Sequence, residues 1–438
     1  MRAPYGDLRG AGERRIDRQA AKGERMSEAT SAGPVAQRER IADIDVLRGA
    51  ALFGVFLVNL TGFGAAGIMA TEGELAALPT APVDRAVAFA IDWLVADKAN
   101  TIFAFLFGLG FYIQMERGLA RDPGFARVYA RRIAILALFG WAHLVFLWTW
   151  DILHLYGMVG FALLAMRRVS DRALLAIGLP LLLIDGHLLE WGLGALGIGG
   201  GGADFYADAA VLARQAADYP QELALTWRWT WIDYIVNGQL VAWMIYALGR
   251  FAMGAWVGRK GWIQRPDAAM PGFRRALVLC LPLGLALSLL ARLLEAKLLG
   301  PAFAGEAWGH LGSALRPAAA ALLAAGYLCG VMVALRSAAG RALLAPLRHV
   351  GQMALTNYVT QSFVIAFVLF GIGPGLGLAG RIGTAWLAAI AVAGFVAQVA
   401  LSRLWLSRFA FGPLEWAWRA LTYGRRPRFR RAAALAAA

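Results

Sequence analysis

Charge is scarce in this chain. Asp, Glu, Lys and Arg make up 16% of its 438 residues, against roughly a quarter in a soluble globular domain. Cysteine is scarcer: Cys280 and Cys329 are the two present, each inside an apolar stretch. With no CxxC pair and no Cys/His cluster, the sequence offers neither a disulfide framework nor a structural zinc site. No polar stretch between the apolar blocks is long enough to form a soluble domain. No apolar signal core opens the chain either. Residues 1–40 are polar and mixed in charge, and read as a disordered cytoplasmic tail with Met26 as an alternative start.

What is abundant is apolar surface. Hydrophobic residues reach 59% and mean hydropathy is +0.57. They come in blocks of about 20, the length that carries a helix across a hydrocarbon core of about 30 Å. The reading is an all-α polytopic transmembrane helix bundle of about ten spans. They lie near 46–66, 99–116, 133–149, 152–167, 173–194, 232–257, 276–298, 316–335, 350–372 and 383–405. A shorter apolar segment, 85–97, carries Asp92 and Asp97 and reads as an interfacial helix. The transmembrane domain then covers 41–424, and a basic tail follows at 425–438.

The net charge of +15 follows a pattern. Basic residues gather before the first span and in every second loop: Arg117 to Arg132, Arg167 to Arg172, Arg259 to Arg275, Arg336 to Arg348, and Arg425 to Arg431. The alternate loops are neutral or acidic, as at Glu72 and Glu74 or Asp204 to Glu222. Lys and Arg mark the cytoplasmic side, so an even number of spans puts both termini in the cytoplasm of a multi-pass inner-membrane protein. The charge therefore needs no nucleic acid partner; membrane lipids are the expected surroundings, and an oligomer is open. The glycine-rich run Gly197 to Gly202 lacks a following Gly-Lys-Ser/Thr, and reads as a linker into the aromatic outer segment 203–228.

Polar groups at membrane depth are costly and so are functional candidates. Asp45 and Arg48 are three apart on the first span and share a face. Arg48 and Asn59 are eleven apart, three turns, or about 16 Å along that face. Both readings stay open: a lipid anchor with a helix-gluing amide, or a functional line. His143 lies in the third span. Asp151, His154 and Tyr156 crowd the short turn after it, as a proton relay or as a helix cap. His187 and Glu190 share a face near Asp185 but lack a third ligand, so no metal is expected. Asp233 pairs by spacing with Asn237, and Arg292 with Glu295. Asn357 and Gln361 make the ninth span unusually polar, as interhelical hydrogen bonds or a ligand site. These candidates, spread from the middle to the outer half, suit a polar cavity opening outward.

The run from Arg40 to Asn59, with Asp45, Leu47-Arg48-Gly49 and Asn59, resembles the opening of the YeiB family, the domain of unknown function 418. Four further stretches agree in order: Thr101 to Gly110; His143 with Asp151-Ile-Leu; Gly351 to Tyr358 with Gln361-Ser362; and Phe411 to Arg419. Together they span about 40–424. The family is in turn distantly similar to transmembrane acyltransferases. Acyltransferase family three opens with a Leu-Arg-Gly helix in which a His follows the Arg. Here the corresponding position is Asn59, as in the heparan-α-glucosaminide acetyltransferase group. The resemblance implies transfer of an acyl group from cytoplasmic acyl-CoA to an unknown hydroxyl or amine acceptor on the outer side. The base would then be His143, oriented by Asp151, with Asn59 holding the oxyanion or acceptor. Arg48 and the basic loops would meet the donor's phosphates, with Asp45, Asn357, Gln361, His154 and Tyr156 lining the binding site. The alternative is a proton-coupled transporter of a small solute or a lipid-related molecule.

Overall fold

The computed structural model describes residues 41–63, 72–148, 151–184, 219–236, 238–369, 375–378 and 380–431, with 192 and 195–197. The polar tail 1–40, the linker 197–202 beyond Gly197, and Asp185, His187, Glu190 and Asn237 lie outside them, as does the side chain of Asp233. The described residues are overwhelmingly helical, and their one isolated β-bridge joins Phe409 to Arg430.

Helices occupy every expected span. They are α1 (Ala42–Val58), α2 (Ala81–Leu94), α3 (Lys98–Leu119), α4 (Phe125–Phe146), α5 (Leu153–Ala165), α6 (Asp171–Leu183), α7 (Tyr219–Trp229), α8 (Gln239–Lys260), α9 (Pro266–Glu295), α10 (Glu306–Ala334), α11 (Leu347–Gln352), α12 (Ala354–Phe363), α13 (Thr384–Arg408) and α14 (Pro413–Tyr423). Among the described residues, seven helical stretches are long and apolar enough to cross a membrane, with α2 and α3 counted as one. The other three expected spans are shorter as described. α5 has 13 residues, α6 has 13 up to Leu183, and the ninth span is broken at Met353 into α11 and α12. π-Helical turns prolong α1 (Asn59–Phe63), α7 (Thr230–Val236) and α12 (Val364–Leu369).

α1 is the central post. Most of it is buried, and it touches α3, α11, α12 and α13. α9 and α13 lie at the periphery and turn Val278, Leu279, Val396 and Leu401 outward, as lipid-facing helices do. Lipid tails are as apolar as leucine, so tight contact rather than water exclusion joins such helices. Glycine supplies it. Gly49 on α1 faces the Leu347 carbonyl, and Gly351 on α11 faces the Asp45 carbonyl, so each helix lends the other a notch. In the α4–α5 hairpin, Gly140 faces the His154 backbone and Gly157 faces the Ala137 backbone.

The interfacial segment forms α2, which meets α9 and α13 and joins α3 through Asp97. The basic tail is not wholly loose. Ala410 N–H donates to Phe429 O at 2.8 Å and Arg431 N–H to Arg408 O at 3.0 Å, which folds 425–431 back on the end of α13.

Candidate functional site

The α4–α5 hairpin sets the site's levels. Its glycine contacts align residue 140 with 154 and 137 with 157, so Tyr156 stands near the height of residue 138. That is about 9 Å along α4 from Arg132, and His143 is about 8 Å further.

Asp151 lies in the link between α4 and α5, 5% exposed. Its Oδ2 accepts the His154 backbone N–H at 2.8 Å and meets His154 Nδ1 at 2.7 Å. The cap and the relay geometry thus coexist on one carboxylate. His154 is fully buried, and its Nε2 lies 2.7 Å from the Tyr234 hydroxyl. A carboxylate at Nδ1 fixes the proton there, so Nε2 accepts from the tyrosine O–H. On the other side, His143 Nδ1 stands 2.8 Å from Asp151 Oδ1, off the ring's N–H axis. His143 Nε2 is buried with no hydrogen-bond partner among the described residues. One carboxylate thus orients two imidazoles, and one imidazole keeps a nitrogen in hand.

A cavity of about 250 Å³ lies below this cluster. Arg48, Arg117, Arg132 and Arg419 surround it, with Asp45 and Glu415 among them. Arg48 Nη1 meets Asp45 at 3.2 Å, as the spacing predicts. Its guanidinium lies over Gly110, where a Cβ would come within 2.9 Å of Nη2. Further in, the walls are Phe103, Phe107, Ile133, Leu136 and Leu153, and Tyr156 and Tyr358 also line the space. The Tyr358 ring is the partition, since its centroid is 5.2 Å from that of His143. Its hydroxyl accepts the Ile152 N–H at 3.4 Å, a long bond, and also meets the Asp151 side chain.

This cavity opens at the end that carries the basic loops, and so differs from the outward-opening one expected. The reason is that outer-half polar groups satisfy one another. Asp151, His154 and Tyr234 do so, and Arg292 pairs with both Asp92 and Glu295. Asn59 is buried at the start of the first π turn, with no polar contact to the Asp151 cluster among the described residues. Asn357 donates to Val350 O at 3.2 Å and to Ser402 Oγ at 3.0 Å, and Gln361 donates to Gln398 at 2.8 Å. These bonds tie α12 to its neighbours, and neither residue lines the cavity. No group of three His, Cys, Asp or Glu able to hold a metal occurs among the described residues.

The sequence reading missed Tyr358, Tyr234 and Glu415 as site residues. Tyr358 and Glu415 stood in quoted motifs, but nothing in spacing says that they meet. Glu415 on α14 accepts from Leu355 N at 2.7 Å, Thr356 N at 3.1 Å and Thr356 Oγ1 at 2.6 Å. It therefore caps α12, the helix that holds Tyr358. Burial pushes its carboxyl above the ordinary carboxylate range, against the pull of those donors. A carboxyl whose folded pKa is raised contributes stability below its ordinary value, near 4.5, and loses it as pH rises through the folded value. Glu415→Gln is expected to flatten this part of the stability–pH curve. Glu415→Ala is expected to cost about 2 kcal/mol by orphaning two backbone N–H groups. Thermal melts of both variants from pH 4.5 upward check this, and parallel curves for parent and Gln variant would refute it.

Residues 257–425 match the family model described as protein of unknown function DUF418. The chain is 28% identical to the protein YxaH of Bacillus subtilis over 411 residues, 90% of this chain and 97% of that one. It is 27% identical to YeiB of Escherichia coli over 410 residues, 88% and 96% of the two chains. A 39.9 kDa protein encoded in the amylase 3' region of Bacillus acidopullulyticus matches at 28% over 400 residues, 90% and 96%. With helices long and apolar enough to cross a membrane on one side and these matches along most of its length on the other, the chain is a multi-pass membrane protein similar to YxaH and YeiB, and its residues 257–425 match the DUF418 family model.

Proposed function

We propose that the chain is a membrane acyltransferase that draws on acyl-CoA from the cytoplasmic side and acylates a hydroxyl or amine. The observation that carries this is the buried His143–Asp151 pair standing one tyrosine beyond an arginine-ringed cavity. The arginines suit the donor's phosphates, which guanidinium groups bind in forked geometry. The apolar wall between them and Tyr358 suits the pantetheine arm and its thioester. Arg132 and His143 are eleven residues apart on α4, about 16 Å, a reach that an extended pantetheine arm covers.

In the reaction, His143 Nε2 takes the proton of the acceptor as its oxygen or nitrogen attacks the thioester carbonyl. The C–S bond breaks, the new acyl bond forms, and the imidazolium returns its proton to the leaving thiolate. Asp151 holds Nδ1 and offsets the charge. Tyr358, buried between the cavity and His143, must swing aside and give up its contacts with Ile152 and Asp151. The distant likeness of Leu47-Arg48-Gly49 to acyltransferase family three adds support, and Asn59 in place of a His makes His143 the available base.

One observation favours a second reading. Tyr234, His154, Asp151 and His143 form an unbroken line of titratable groups, as proton-coupled transport uses.

The test is thermal unfolding of detergent-purified protein against free CoA, acetyl-CoA and longer acyl-CoAs. A ligand of the folded state at a hundredfold excess over Kd adds about 2.7 kcal/mol. A saturable rise, reduced in Arg48→Ala and Arg132→Ala but kept in His143→Ala, is expected. Absence of any rise in folded protein rejects the donor site and turns attention to proton-coupled uptake.

A further inference from the structure

Arg250 sits in the middle of α8 (Gln239–Lys260) and is 1% exposed. It is among the largest fully buried side chains of the described residues. Its Nε donates to Thr101 Oγ1 at 3.0 Å and its Nη1 to Tyr246 O at 2.8 Å. The guanidinium carbon lies 3.2 Å over the Tyr246 ring. Those two bonds use two of the five N–H groups that an arginine carries, and the Tyr246 side chain makes a further polar contact with the guanidinium.

No carboxylate lies within ion-pair distance of Arg250. Asp97 acts on it from farther off and is itself paired with Arg316 at 3.4 Å. The charges around this corner do not balance. Lys98, Arg250, Arg292 and Arg316 stand against Asp92, Asp97 and Glu295, four cations to three anions. The other three cations have partners here: Lys98 donates to the Asp92 carbonyl at 2.9 Å, Arg292 meets Asp92 and Glu295, and Arg316 meets Asp97 and Glu295. Arg250, the most deeply buried of the four, has like Lys98 only neutral acceptors within hydrogen-bond distance.

A buried guanidinium without an anion is costly, and at membrane depth such a residue marks a ligand path or a counter-ion site. We infer that Arg250, with Thr101 and Tyr246, binds the carboxylate group of a small organic acid. The planar fork matches a carboxylate, and the remaining Nη hydrogens supply the two parallel donors it takes. The Tyr246 ring beneath the guanidinium leaves only its edge for that contact. Tyr156 is the other aromatic group acting on Arg250, and it also lines the arginine-ringed cavity. Arg250, Thr101 and Tyr246 are not among the residues that line that cavity, so the carboxylate site is distinct from the cluster of arginines around it. It stands whether the protein transfers acyl groups or transports solutes.

The experiment is thermal unfolding of the purified full-length protein at fixed ionic strength. Acetate, lactate and succinate are titrated beside chloride and inorganic phosphate. A saturable rise of several degrees with the carboxylates, absent with chloride, is expected. Arg250→Gln should abolish that rise, while any phosphate effect, which belongs to the other arginines, persists. Should Arg250→Gln fail to fold, Thr101→Val removes one support of the fork and should weaken the carboxylate response several-fold. Equal shifts from all anions, or carboxylate shifts unchanged in the folded variants, would overturn the assignment. So would the absence of any carboxylate shift in the parent protein.

Discussion

Asp151→Ala is expected to lower stability by about 3 kcal/mol or more, the cost of leaving several buried polar groups without their acceptor. The loss has three parts. The His154 backbone N–H, His154 Nδ1 and His143 Nδ1 all face this carboxylate, within 2.8 Å. Alanine leaves all three in a space that water does not reach. Asp151→Asn keeps an oxygen for the backbone N–H and sets an amide N–H₂ against one imidazole, so its loss should be about half as large. Thermal melts in detergent read both. If Asp151→Ala melts within a degree of the parent, the cluster is not an energetic unit and the case for His143 as an oriented base falls with it. In the folded Asn variant, acyl transfer should drop by a hundredfold or more, the scale of a lost general base, while CoA binding persists.

Gly140→Leu should be more damaging still. A side chain there meets the backbone of Leu153 and His154, which cannot turn away as a flexible side chain would. The two helices must part, and Asp151 then leaves His143. Overfilling a close contact costs about 1–3 kcal/mol for small additions. Gly140→Ala should fall in that range, and the leucine variant should yield no folded protein. Gly309, in α10, is the control, since a Cβ there meets nothing within 4 Å. Gly309→Ala should leave the melting temperature unchanged or raised slightly, because alanine favours helix. Monodispersity in detergent and melting temperature distinguish the three. Full recovery of folded Gly140→Leu protein would show that α4 and α5 tolerate separation.

Helix positions were legible because a membrane span is a local property: an apolar run of sufficient length. The Asp45–Arg48 and Arg292–Glu295 pairs were legible for the same reason, since a spacing of three fixes a shared face. The Asp151–His154 contact is of this local kind too. Its extension to His143 needed a hairpin whose register is set by Gly140 and Gly157, which spacing alone does not reveal. Tyr358 and Glu415 are separated from their partners by about 200 and 60 residues, so only the assembled bundle brings them together. Arg250 escaped notice because the run Gly249-Arg250-Phe251 shows a charge in a span without showing its partners. Asn357 and Gln361 mark the opposite case: an unusually polar face whose hydrogen bonds run to α13 and its surroundings.

The cap that Glu415 places on α12 has a consequence for how the protein is made. The helix carrying Tyr358 is held by a carboxylate almost 60 residues downstream, and that helix, α14, also gives the cavity Trp418, Arg419 and Tyr423. The closing contacts come later still, where Phe429 and Arg431 fasten to the end of α13. These residues leave the ribosome only after all the earlier spans. Throughout synthesis and insertion, the earlier spans therefore stand together around a cavity with one wall missing. The cavity cannot take its final geometry until α14 has been made, and a chain cut short before α14 would never complete that wall.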